Sequence, residues 1–205
     1  MASPWVPHGL IQHIGLETPY QNAKHSIDEH GNLKDAEYYT TIALFEDLFH
    51  HIIFSSSEYK SNSLVLPSTK SDPNMACDIV TSYIDDDNYH WHFFCFSEVR
   101  GSKSATAGTS IRALEEQVLE YCKEYLQEQP PEVNLVYANT LVGASIRSWS
   151  YRRGEGNLSG FSDSAEYGNF GCYKDIGEES NRRLLEDTFG YIKKYHSGSS
   201  LAAMG

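Results

Sequence analysis

Three short stretches of this chain carry groups that can do chemistry together. They are Asp78, the triplet Glu98-Val99-Arg100, and the pair Gln117 and Tyr121. Side chains on a strand alternate faces, so Glu98 and Arg100 share one side of an extended segment while Val99 points to the other. A carboxylate and a cation are thus presented together. If Asp78 lies on the neighbouring strand, its oxygens and those of Glu98 can share a hard cation such as Mg²⁺, which takes one or two carboxylates and keeps several waters. That is a phosphodiester-cleaving arrangement. Gln117 and Tyr121 are four residues apart and fall on one face of a helix. A guanidinium at position 100 stays protonated, so it can clamp a phosphate bidentately but cannot act as a base.

The elements that must position these groups follow from periodicity and turn chemistry. Residues 1–31 mix Pro, His, Gly and single apolar residues without a sustained period, and read as an irregular arm packed through Trp5, Leu10, Ile11 and Ile14. Asn32 is a cap with Asp35 in the first turn, opening a helix over 34–54 whose Ile42, Phe45, Phe49, Ile52 and Ile53 form one stripe. Leu64-Val65-Leu66, closed by Pro67, predicts a brief strand. The β-formers over 77–84 and 90–99, joined through Asp85-Asp86-Asp87-Asn88, predict an antiparallel hairpin with a solvated turn.

Thr109 or Ser110 caps a second helix, striped by Ile111, Leu114, Val118, Cys122, Tyr125 and Leu126 and stopped by Pro130-Pro131. Two further strands are predicted at 133–140 and 144–151, separated by Leu141-Val142-Gly143. The Gly-, Ser- and Asn-rich stretch 152–177 reads as a long ordered loop or an irregular strand. A last helix starts near Glu178 and carries Leu184, Leu185, Phe189 and Ile192. Residues 32–196 thus form one domain, and 197–205 a disordered tail.

Composition bounds the function. The 205 residues are 40% hydrophobic and 13% aromatic, which supports one core rather than two. A net charge of −12 opposes sequence-independent attraction to DNA or RNA, so contact with nucleic acid must be local. Cys77, Cys95, Cys122 and Cys172 lie far apart, three of them in apolar runs, and are expected as buried reduced thiols. There is no secretory leader pattern at the N-terminus and no run of about 18 apolar residues, so a cytoplasmic or nuclear protein without a membrane span is expected.

The order of Asp78, Glu98-Val99-Arg100 and Gln117 to Tyr121 resembles the Asp, Glu-x-Lys and Gln-x-x-x-Tyr motifs of the PD-(D/E)XK nuclease superfamily, in its RecB-like and lambda-exonuclease-like branch. The resemblance covers about 35–151. Val136-Tyr137-Ala138-Asn139-Thr140, Gly143 and Arg147-Ser148-Trp149 are also similar to an uncharacterised fungal group in that superfamily. What it implies is a restriction-endonuclease-like α/β fold, a central mixed sheet flanked by helices, with Mg²⁺ or Mn²⁺ held by Asp78 and Glu98. It implies a first-helix carboxylate as a further ligand, for which Glu46 is the candidate beside Glu37 and Asp47. Arg100 stands where the active members have lysine, and Gln117 and Tyr121 point towards the metal site.

Two other readings stand beside this one. The first keeps the fold without catalysis, as a protein-binding or regulatory module that uses the aromatic residues of 152–177. The second is a cupin-like Zn²⁺ or Fe²⁺ site at His90, His92 and Glu98, since the two imidazoles share a strand face. Arg147, Arg152 and Arg153 are expected to neutralise neighbouring carboxylates.

Overall fold

The computed structural model describes residues 5–24, 38–65, 77–84, 90–100, 107–161 and 166–195. The apolar hairpin is its centre. Strands β2 (Cys77–Ile84) and β3 (Trp91–Arg100) pair antiparallel, and β1 (Tyr59–Val65) adds to the outer side of β2. Helix α3 (Ala107–Glu128) then carries the chain across to β4 (Leu135–Val142), which runs parallel to β3. A parallel neighbour needs such a crossover, and a helix supplies it. Gly143, at φ 58°, turns the chain into the antiparallel β5 (Ser145–Arg152), on which the two-residue strands β6 (Ser159–Gly160) and β7 (Lys174–Asp175) pair. The result is a mixed seven-stranded sheet in the order β1-β2-β3-β4-β5-β6, with β7 also on β5.

Alternation along the strands divides the core in two. Cys95, Val99 and Tyr137 join one cluster with α1 (Glu17–Lys24), α2 (Tyr38–Leu48) and α4 (Glu179–Tyr195), while Phe96, Val136 and Ala138 join another with α3. The α/β architecture with helices flanking a mixed sheet is as expected. All four cysteines are free and buried.

Several boundaries differ from the sequence reading. The stretch 1–31 is not wholly irregular, because it holds a 3₁₀ turn at Ile14–Leu16 and the helix α1. That helix buries only Tyr20 and Ala23 of its eight residues, too few to make a visible stripe. The long helix divides into α2 and a π-helical turn, Phe49–Ile53, and its expected cap at Asn32 with Asp35 and Glu37 lies outside the described residues. β1 begins at Tyr59, well before Leu64; Leu66 and Pro67 are outside the described residues. Leu141 and Val142 belong to β4 and are fully buried, so only Gly143-Ala144 makes the turn. α3 begins before Thr109 and Ser110, which therefore fall in its first turn. The Asp85–Asn88 turn and the 197–205 tail lie outside the described residues.

The N-terminal segment is fastened to the start of α4. Leu10 N–H donates to the Ile176 carbonyl at 2.7 Å and Gly9 N–H to Glu179 Oε2 at 2.8 Å. Gly9 has φ 51°, and a Cβ there would stand 2.4 Å from the Ile176 carbonyl oxygen. Gly9→Ala therefore adds left-handed strain to a backbone clash and is expected to cost about 2 kcal/mol or more. Urea denaturation checks this: the midpoint falls at unchanged slope if the segment is docked as described, and stays put if it is not.

Candidate metal centre between the hairpin and helix α3

The β2–β3 ladder has Ile79 opposite Ser97, and Asp78 and Glu98 are the next residues outward on the two strands. Both are buried, at 4% and 5% exposure. Asp78 Oδ2 accepts from the Val99 backbone N–H at 2.7 Å, and its Oδ1 accepts from the Tyr38 hydroxyl. Tyr38 is the first residue of α2, so that helix reaches the site through a phenol. From the other side, α3 sends Gln117, whose Nε2 donates to Glu98 Oε1 at 2.7 Å and to the Tyr121 hydroxyl oxygen at 2.8 Å. Glu98 Oε2 is buried and meets no donor from α3 or the backbone; the Glu98 carboxyl is instead hydrogen-bonded to the carboxyl of Asp78.

These surroundings set the charge state of the pair. Burial, and next the charge of Asp78, push the Glu98 carboxyl up from 4.5 to about 9. Arg100, half-exposed at the end of β3, opposes that rise only weakly. Asp78 is also raised by burial, against the hydrogen bonds from Tyr38 and Val99 that favour its charged form. Two facing carboxyls that cannot both ionise behave as one titrating unit. At neutral pH the pair holds a proton that a cation would displace.

The donor set fits a hard divalent ion. Mg²⁺ is satisfied by one or two carboxylates and several waters, and a cation between two facing carboxyls would take the place of the proton they share. Asp78, Glu98, Gln117 and Tyr121, chosen from the sequence, thus meet in space, and Arg100 stands beside them. Glu46 does not join them: no cluster of three or more His, Cys, Asp or Glu residues capable of holding a metal occurs among the described residues. It sits eight residues, roughly 12 Å of helix, beyond the Tyr38 end of α2 that touches Asp78. Asp47 is likewise outside the pair, on the exposed side of α2. Tyr38 carried no sequence signal, since a tyrosine beside another on a helix has many uses.

The His90, His92 and Glu98 arrangement is not assembled. His92 stacks on Tyr83 at 5.3 Å, His90 is exposed, and six strand residues, roughly 20 Å, separate His92 from Glu98. Arg147 is committed elsewhere. Its Nη1 lies 3.0 Å from Glu115 Oε1 on α3, and its guanidinium lies 3.9 Å from the Trp149 ring centre. Glu115 also accepts from Gly168 N–H and the Tyr173 hydroxyl, which ties the 166–173 stretch down. Arg153 is held by the carbonyls of Gln129, Pro130 and Val133.

Comparison with protein-family models, with curated proteins and with solved structures returned no match.

Proposed function

We propose that Asp78 and Glu98 form a divalent-cation site of the PD-(D/E)XK kind and that the protein hydrolyses phosphodiester bonds in nucleic acid, slowly, with Mg²⁺ or Mn²⁺. The observation that carries this reading is the buried Asp78–Glu98 carboxyl pair, whose two groups face each other and share a proton in the absence of a cation. When bound, the ion supplies an acidified water and compensates charge developing on the phosphate. Asp78 and Glu98 hold it. Val99 N–H and the Tyr38 hydroxyl fix Asp78, and Gln117 fixes Glu98 through Oε1, leaving the other oxygen for the ion. Arg100, on the same strand face as Glu98, clamps a phosphate but cannot take the proton of the attacking water.

A second reading is favoured by that same arginine: a nuclease-fold protein that keeps the cation site but not the hydrolysis, and serves as a binding or regulatory module. Incubation with labelled single- and double-stranded DNA and RNA in Mg²⁺ or Mn²⁺, beside an Asp78→Ala/Glu98→Ala variant, separates the two. The first reading expects slow cleavage lost in the double variant, and a rise of about 10²-fold in Arg100→Lys, the scale of a restored proton acceptor. Calorimetric Mn²⁺ binding without cleavage in wild type or Arg100→Lys decides for the second. Cleavage that survives in the double variant, or no Mn²⁺ heat at all, removes the assignment of the site.

A further inference from the structure

On the α4 side of the sheet, away from the carboxyl pair, a cavity of about 400 Å³ opens between β4, β5, β6 and α4. Its size is that of a small-ligand site. Tyr137, Phe161 and Tyr191 are among its walls, with centroids 5.5 to 6.4 Å apart, and Tyr191 is 41% exposed although aromatic. Arg152 and Asp187 stand at it as well. Arg152 is exposed, and its guanidinium has no hydrogen bond or ion pair among the described residues, unlike Arg147 and Arg153. Its charge nevertheless reaches the Tyr137 hydroxyl, where it opposes the rise that burial imposes. Among the described residues Asp187 has only a long, exposed contact with Arg183, at 3.9 Å.

An aromatic-walled cavity with one uncommitted guanidinium at its mouth suits a planar ring carrying an anionic group. Aromatic side chains stack on bases of any sequence, and arginine is the side chain whose fork matches phosphate. The carboxylate of Asp187 adds an acceptor for a ring amino group. We propose that this cavity binds a nucleoside 5′-monophosphate, the base against Tyr191 and Phe161 and the phosphate on Arg152. The site goes beyond the proposed metal chemistry and does not depend on it. Cys95, opposite Tyr137 in the sheet, is three residues or roughly 10 Å from Glu98, and Tyr137 packs on the face away from α3.

The same chemistry is offered by a free mononucleotide and by the 5′-terminal nucleotide of a single strand. Calorimetric titration in the presence of a chelator, with AMP and GMP, with adenosine and with ribose 5-phosphate, tests the site without a metal. The mononucleotides are expected to bind, and the base or phosphate half alone to bind at least about tenfold more weakly. Tyr191→Ala and Arg152→Ala change exposed side chains and leave the core intact; each is expected to weaken AMP or GMP binding at least about tenfold, the scale of one stacking contact for Tyr191 and of one charge-assisted hydrogen bond for Arg152. The Asp78→Ala/Glu98→Ala variant is expected to bind them like wild type, so failure of the metal site and of this one are distinguishable. A 5′-phosphorylated trinucleotide that binds more tightly than AMP supports a strand end as the natural source, and equal or weaker binding supports a free nucleotide. No heat with either mononucleotide at millimolar concentration, or full binding in both single variants, overturns the proposal.

Discussion

Replacing Glu115 with alanine is expected to destabilise the protein by about 3–5 kcal/mol, the cost of leaving a buried charge without its partner. The side chains of Arg147 and Glu115 are 1% and 0% exposed. Arg147 also donates to the Glu166 carbonyl and lies over Trp149, which in turn donates to Thr140. Burial raises the Glu115 carboxyl in spite of the adjacent guanidinium, so desolvation is the larger influence and the pair's net worth is small. Removing one member is therefore costly because of what remains. The joint change Glu115→Leu/Arg147→Met, which leaves no stranded charge, is expected to recover most of the loss. Urea denaturation of the single and double variants measures both. A single-variant loss below about 1 kcal/mol, the range of exposed pairs, would show that water reaches Arg147.

That buried pair marks the limit of what the sequence discloses. The hairpin was legible because Cys77–Ile84 and Trp91–Arg100 are dense in β-formers, and α3 because its apolar residues recur at helical steps. The meeting of Asp78, Glu98, Gln117 and Tyr121 follows from those elements once the hairpin pairs and the helix crosses over it. Glu115 lies two residues before Gln117 and looks like any charge on a helix flank. Its partner is 32 residues away and becomes visible only when β5 is set beside β4. Tyr38 was illegible for a similar reason, since its contact with Asp78 spans 40 residues. Helix α1 lacked a stripe, and the π-helical turn at Phe49–Ile53 preserved the apolar pattern while changing the hydrogen bonding beneath it. Periodicity reports faces, whereas long-range polar partners depend on strand order.

Glu98→Gln is expected to separate the two roles of the carboxyl pair, stabilising the metal-free protein at alkaline pH while abolishing its response to Mg²⁺ or Mn²⁺. In the folded chain Glu98 keeps its proton up to about 9, whereas in the unfolded chain it loses it near 4.5. Between those values the folded state binds more protons, so raising the pH favours unfolding. Asp78 is shifted the same way and adds to the slope. Metal-free wild type should accordingly lose stability from about pH 5 to pH 9, by up to about 1.4 kcal/mol per pH unit for each proton released. Glutamine keeps the shape and an acceptor for Gln117 but removes the titrating group, so the variant's profile should be flatter and lie above wild type towards the alkaline end of that window. A divalent cation at a hundred times its Kd should return about 2.7 kcal/mol to wild type and nothing to the variant. Thermal unfolding across pH, with chelator and with Mn²⁺, reads all of these at once. A wild-type stability that is level or rises through that window would mean that both carboxyls are already ionised and solvated in the fold, and that no ion is needed to hold them together.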